Sequence, residues 1–269
     1  MPRSLSVVLW ITVVSGAATY AFQEAPSTLI LQRTTLIDGL TAHVRRDMTV
    51  VIRGGRFERV SEGVGLPPPG ATVIDLEGRW LLPGLIDAHV HLRDLASARA
   101  ALRRGVTTAR SLGVDHFSDI GIRQLHGAGA GDVPDILSAG YHIRRRLAEA
   151  FVLDFPRRGP LMKGLWGAAD VRAAVRELAT RGANVIKVMM TQRAGLTDTD
   201  FRARVLTDEE ALAAVEEATK AGLPVAAPAH TDEAARVAAR AGVRTIEHGT
   251  LMGADTLPLL QEKGICFTP

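Results

Sequence analysis

From Pro83 onward the chain repeats one unit: a short apolar stretch, a polar break, an amphipathic stretch and a glycine. The apolar stretches predict strands over 85–91, 106–111, 136–141, 184–190, 224–230, 244–248 and 265–269. Helices are expected over 168–181, 208–221 and 232–241, closing on Gly182, Gly222 and Gly242, because glycine takes the left-handed conformation that ends a helix without steric cost. Strands alternating with helices at this spacing need crossover connections and therefore a parallel sheet. The expectation is an α/β fold, a (β/α)8 TIM-type barrel of which about seven strands are present. Such a barrel takes about 250 residues, and only 83–269 belong to it here. A chain stopping as a seventh strand emerges leaves an open sheet edge, so the sequence is read as C-terminally truncated.

Residues 26–82 have a different rhythm. Thr28 to Leu36 and Met48 to Val60 are β-rich and alternating, with turns at Asp38-Gly39 and Gly54-Gly55, and a further strand is expected from Thr72 to Leu76. They form a small N-terminal β domain. Residues 1–25 carry Arg3, an apolar run from Leu5 to Ala18 and small residues around Thr19-Tyr20-Ala21, the pattern of a signal peptide. The competing reading is an uncleaved anchor, for which the run falls short of the roughly 20 residues that span a bilayer. The expectation is an exported protein, periplasmic or secreted, with no stable membrane association after cleavage.

Composition excludes some partners. The net charge of +3 comes from scattered basic residues, and aromatics make up 4% of the chain, so no stacking platform for nucleic acid is expected. Arg144, Arg145 and Arg146 are read as a solvated helix start. The lysines are only Lys163, Lys187, Lys220 and Lys263. The single cysteine, Cys266, excludes an intramolecular disulfide and is expected as a buried thiol.

Chemistry concentrates at the end of the first barrel strand, in Asp87-Ala88-His89-Val90-His91. Side chains alternate faces along a strand, so His89 and His91 project together toward the barrel mouth, where two neutral imidazoles suit a zinc-like ion. Lys187 lies inside the apolar strand Asn184 to Met190. Burial drives such a lysine toward the neutral amine, which can take up carbon dioxide, unless the side chain snorkels out of the strand end.

The run Pro83-Gly84-Leu85-Ile86-Asp87-Ala88-His89-Val90-His91 closely resembles the signature of the amidohydrolase superfamily, most similar to its imidazolonepropionase-like and Xaa-Pro dipeptidase-like members. The resemblance covers the chain after the leader. Gly105 to Arg110 resembles the second strand and Gly242 to Thr250 the sixth, with its ligand histidine at His248; Thr28 to Leu82 resembles the N-terminal β-sandwich domain. The resemblance implies a metal site of His89, His91, Lys187 as a bridging carbamate, His230 and His248, holding a divalent metal, one or two zinc ions. It implies a metal-bound hydroxide that hydrolyses a C–N bond (amide, cyclic amide or dipeptide) or related ester of a small-molecule substrate, and not a classical peptidase. The family's fifth-strand histidine falls on Pro228, which has no donor atom. His230, two residues on and on the same face, either replaces it or contacts substrate with the second metal weakened. His142 is a weaker substrate-binding candidate; His43, His116 and His126 carry little. The general acid/base, an eighth-strand aspartate, is expected beyond Pro269, which would leave these residues alone inactive. The alternative is a catalytically impaired metal- or ligand-binding barrel, with a membrane-anchored scaffold a third reading. Homo-oligomers are compatible with all of them.

Overall fold

The computed structural model describes residues 28–145, 164–195 and 197–269. The proposed leader and Arg146 lie outside the described residues. The chain divides into two compact units with the boundary after Pro83.

The first unit is built on β1 (Thr28–Leu36). β2 (Arg45–Arg53) pairs antiparallel with it, and β3 (Arg56–Glu62) returns through Gly54-Gly55, whose φ values of 55° and 74° suit a two-residue hairpin turn. β4 (Thr72–Asp75) and β5 (Trp80–Leu81) add to β1 in parallel. All five strands therefore lie in one mixed sheet. Among the described residues this replaces the expected two-layered sandwich, because each strand is hydrogen-bonded into that sheet and none remains to face it.

The second unit alternates β6 (Leu85–Val90), α1 (Leu95–Arg103), β7 (Val106–Ser111), α2 (Ser118–Gly127), β8 (Asp135–Ser138), α3 (Ala168–Thr180), β9 (Ile186–Lys187), α4 (Asp208–Lys220), β10 (Val225–Thr231), α5 (Asp232–Ala241), β11 (Thr245–Leu251), α6 (Leu257–Glu262) and β12 (Cys266–Thr268). Gly182, Gly222 and Gly242 have φ of 94°, 70° and 90°, as the helix ends require. The strands pair in parallel and in chain order, β6-β7-β8 and β9-β10-β11-β12. The two runs are joined where Asn184 N donates to Ser138 O at 3.0 Å and Ile143 bridges Val188. β9 is shorter than the expected 184–190, yet Val188 N and Met190 N still donate to Ala226 O and Pro228 O, so the extended backbone continues past Lys187.

The sheet is curled. In a flat sheet the first and sixth strands would stand five spacings, roughly 24 Å, apart. Here the side chains of His89 on β6 and Glu247 on β11 meet at 3.1 Å. Leu112, Ala139, Val185 and Ala226 fill the interior beneath them. Outside, Val171, Val175 and Leu178 of α3 and Ala211 and Ala214 of α4 bury against Ile186, fixing the helices on the convex face. Cys266, expected buried, is exposed; among the described residues β12 pairs with β11 alone.

Arg145 is not solvated. It donates through Nη1 and Nη2 to Glu210 at 2.5 and 2.6 Å and stacks over Trp166. Glu210 also accepts from Gly167 N and from Thr207 N, with Thr207 capping α4 in return. Burial alone would raise the Glu210 carboxyl, but the hydrogen bonds from Arg145, Thr207 and Gly167 win and hold it at about 2. Its folded value lies below the ordinary 4.5, so the stabilisation is complete above pH 4.5 and disappears as pH falls through 2. Glu210→Gln is expected to cost about 3 kcal/mol at pH 7 and progressively less between pH 4.5 and pH 2, which denaturant titrations across that window will read.

Candidate active site

The C-terminal ends of β6, β9, β10 and β11 meet at one rim, where barrel chemistry is found. His89 and His91 lie on one face of the same extended segment, with ring centroids 5.5 Å apart. The His89 ring is also 4.7 Å from that of His248, and His248 stacks on His230 at 5.1 Å with 6° between planes. Lys187, only 4% exposed, donates from Nζ to Leu112 O at 2.7 Å and to His89 Nε2 at 3.2 Å. The side chain points inward and does not snorkel. All five residues expected at the site are thus brought together.

Strand alternation alone would send Glu247 and His248 to opposite faces. The backbone resolves this: His248 has φ 70° and Gly249 φ 50°, a left-handed pair that turns the His248 ring toward His89 while Glu247 also reaches His89. Positive φ at a non-glycine residue is uncommon and persists where the surroundings hold it. His230, in β10 beyond Pro228, donates its amide to Thr191 Oγ1, and Phe201 meets its ring edge-on at 5.6 Å. His142 packs over Gly113, where a Cβ would fall 2.8 Å from its Nδ1.

The far nitrogens of three imidazoles are tied down. His89 Nδ1 lies 3.1 Å from Glu247 Oε2, His91 Nδ1 2.6 Å from Gly113 O, and His230 Nδ1 2.9 Å from Thr250 Oγ1. A carbonyl only accepts, so His91 carries its proton on Nδ1 and presents the Nε2 lone pair. Burial, helped by the Lys187 charge, lowers His91 to about 4; burial and the neighbouring His89 lower His248 to about 4; burial also lowers His230. His142 falls to about 3, chiefly through burial and then Arg144. Burial brings Lys187 down to about 7 against the opposing pull of Glu247.

Imidazoles with one nitrogen anchored by a carboxylate, carbonyl or hydroxyl are what metal-ligating histidines require. The donor types therefore fit a divalent cation. As they stand, no three His, Cys, Asp or Glu side chains among the described residues are arranged to hold one. Lys187 Nζ lies 3.2 Å from His89 Nε2, and the stacked His230 and His248 rings lie parallel.

Glu247 and Arg110 were not among the expected site residues. Glu247 is fully buried and accepts from Arg110 Nη2 at 2.8 and 2.9 Å, from Thr245 Oγ1 and from His89. Both residues sit in the segments that carried the family resemblance, and each is the one Asp, Glu, Lys or Arg of its strand.

The sequence matches the amidohydrolase family over residues 80–269, most of its length. The chain belongs to the amidohydrolase family. An uncharacterised protein of Mycobacterium bovis is 28% identical over 218 residues, 76% of this chain and 53% of its own length. The ochratoxinase of Aspergillus niger is 27% identical over 224 residues, 70% of this chain and 47% of its own. A solved Xaa-Pro dipeptidase with methionine bound in its active site superposes with a TM-score of 0.77 at 28% identity, covering 90% of this chain and 66% of that one. The chain spans about half the length of these curated relatives. Family membership agrees with the TIM-barrel-like α/β architecture seen in the parallel strand order.

Gly249 tests the left-handed turn. An added Cβ would lie 2.6 Å from Phe267 Cε2 at a φ that disfavours side chains. Gly249→Ala is expected to destabilise by about 1–2 kcal/mol, read as a lowered urea midpoint, with a similar loss for no other rim glycine that has negative φ.

Proposed function

We propose that this amidohydrolase is a metal-dependent hydrolase of a carbon–nitrogen bond (amide, cyclic amide or dipeptide) or related ester in a small molecule. The observation that carries the reading is the buried Lys187 amine, 3.2 Å from His89 Nε2 and ringed by histidines whose far nitrogens are anchored. His89, His91 and Lys187 would hold one divalent ion, with Lys187, His230 and His248 holding a second; zinc suits these donors. Such an ion supplies Lewis acidity, making water acidic near neutral pH and polarising a carbonyl.

The chain's own residues do the rest. The Lys187 amine attacks carbon dioxide, forming one N–C bond and releasing one proton, and so becomes a carbamate anion. Glu247, Gly113 and Thr250 keep the imidazoles from rotating. Phe201 against His230 provides an apolar wall, and His142 over Gly113 stands beside the His91 anchor as a substrate contact. The N-terminal leader would place this activity in the periplasm or outside the cell.

Pro228 favours a second reading, in which the barrel binds a metal or ligand without turnover, because the place of a fifth-strand ligand carries no donor. Metal analysis and turnover of the complete protein separate the two. Protein purified with bicarbonate present is expected to retain one or two divalent ions by elemental analysis. Lys187→Ala should lose them, and added formate should restore part of the content. Turnover across a panel of dipeptides, N-acyl amino acids and cyclic amides should fall at least about 100-fold in that variant, more than removal of an outer-sphere partner costs. Wild-type protein that retains no metal would sink the proposal; metal retained with no hydrolysis in the panel would favour the second reading.

A further inference from the structure

The residue that decides how His89 presents itself is not a neighbour in sequence. Glu247 is 158 positions away, fully buried, and its Oε2 meets His89 Nδ1 at 3.1 Å. Arg110 holds it there. Its Nη2 touches both Glu247 oxygens at 2.8 and 2.9 Å, while Nε donates to Ala88 O at 2.6 Å, Nη1 to Thr245 Oγ1 at 3.0 Å and Nη2 to Thr268 Oγ1 at 3.3 Å. One guanidinium therefore binds β6, β11 and β12 from β7, across the inside of the curl. Thr245 Oγ1 accepts from Arg110 and donates its hydroxyl hydrogen to Glu247 Oε1.

The Nδ1 side of this wiring has one consistent proton arrangement. A carboxylate beside an arginine is ionised and can only accept, so the hydrogen bond requires His89 to carry a proton on Nδ1. Nε2 faces Lys187 Nζ at 3.2 Å, and in the neutral imidazole its lone pair accepts from that nitrogen. We propose that Glu247, clamped by Arg110, is the positioning residue of this site, setting the tautomer and ring orientation of His89. The link to metal binding rests on the function proposed above; the tautomer assignment does not.

Two variants separate positioning from folding. Glu247→Gln keeps the shape but puts an amide where Arg110, Thr245 and His89 all need a carboxylate. Arg110→Met combined with Glu247→Leu replaces the buried pair by apolar side chains of similar volume, which proteins often tolerate where a lone buried charge is not. In long-range 15N imidazole spectra of the metal-free protein, wild-type His89 is expected in the Nδ1–H form, with His91 as an internal reference in the same form. The double variant is expected to shift His89 alone toward the Nε2–H form. Cobalt(II) titration should show affinity lowered about 10- to 100-fold in both variants, the range for losing a partner that orients a ligand histidine. An Nε2–H His89 in the wild type, or an unchanged tautomer in the double variant, would overturn the proposal, as would unchanged cobalt affinity. If the wild type takes up no cobalt, the metal-dependent function fails and the tautomer spectra still decide the role of Glu247.

Discussion

An amine stripped of water must be neutralised, paired or converted, and the rim of this barrel is arranged around that requirement at Lys187. Its Nζ has exchanged solvent for one carbonyl, Leu112 O, and one imidazole nitrogen, His89 Nε2. Neither partner is an anion, and the carboxylate that acts on it, Glu247, is already engaged by Arg110. Burial without a dedicated counter-ion is what brings the amine down to about 7, within reach of its neutral form. The same burial keeps His91 and His248 uncharged, so the one feature that makes Lys187 reactive also leaves the surrounding nitrogens as lone-pair donors.

Much of this arrangement is legible in the sequence, and the limit falls at identifiable residues. Strand alternation places His89 and His91 on one face, and a lysine amid Asn184 to Met190 announces burial because no polar position is available to it. The glycine stops of three helices follow from local backbone chemistry and recur in the structure. What alternation misreads is His248, since its left-handed φ is a property of the folded turn before Gly249. Arg110 and Glu247 escape for a different reason: their pairing joins positions 137 apart, and no local periodicity encodes which charge crosses a barrel interior to meet which. The N-terminal segment shows the same divide. Its strands are legible from β-formers and Gly54-Gly55, whereas their gathering into one mixed sheet depends on β4 and β5 returning to β1.

Pro228 illustrates how the ladder tolerates an exception beside a site. Proline removes a donor from a central strand, where it is normally excluded. Its carbonyl is still used, accepting from Met190 N, and its register partner is Glu247. The pairing of β10 with β11 becomes irregular just afterward, between Ala229 and Thr231, where His230 sits. Loosened pairing and the turn at His248 and Gly249 occur side by side, and together they let two histidines of adjacent strands stack instead of diverging.

Charge balance links these details to function. His91, His230 and His248 contribute lone pairs without charge, and Glu247 is matched by Arg110, so the sign of the rim owes much to Lys187 and to Arg193, which lowers Lys187, His91 and His142 alike. With an ammonium at its centre the rim repels cations and suits an anionic ligand. Two unit charges about 4 Å apart interact by about 4 kcal/mol at an effective dielectric of 20, so exchanging one positive for one negative charge at Lys187 reverses that preference by several times the thermal energy. The carbamate proposed above would be such an exchange. On the function proposed above, the preference of the rim for a cation or an anion therefore turns on the covalent state of a single nitrogen, Lys187 Nζ, which lies 3.2 Å from His89 Nε2.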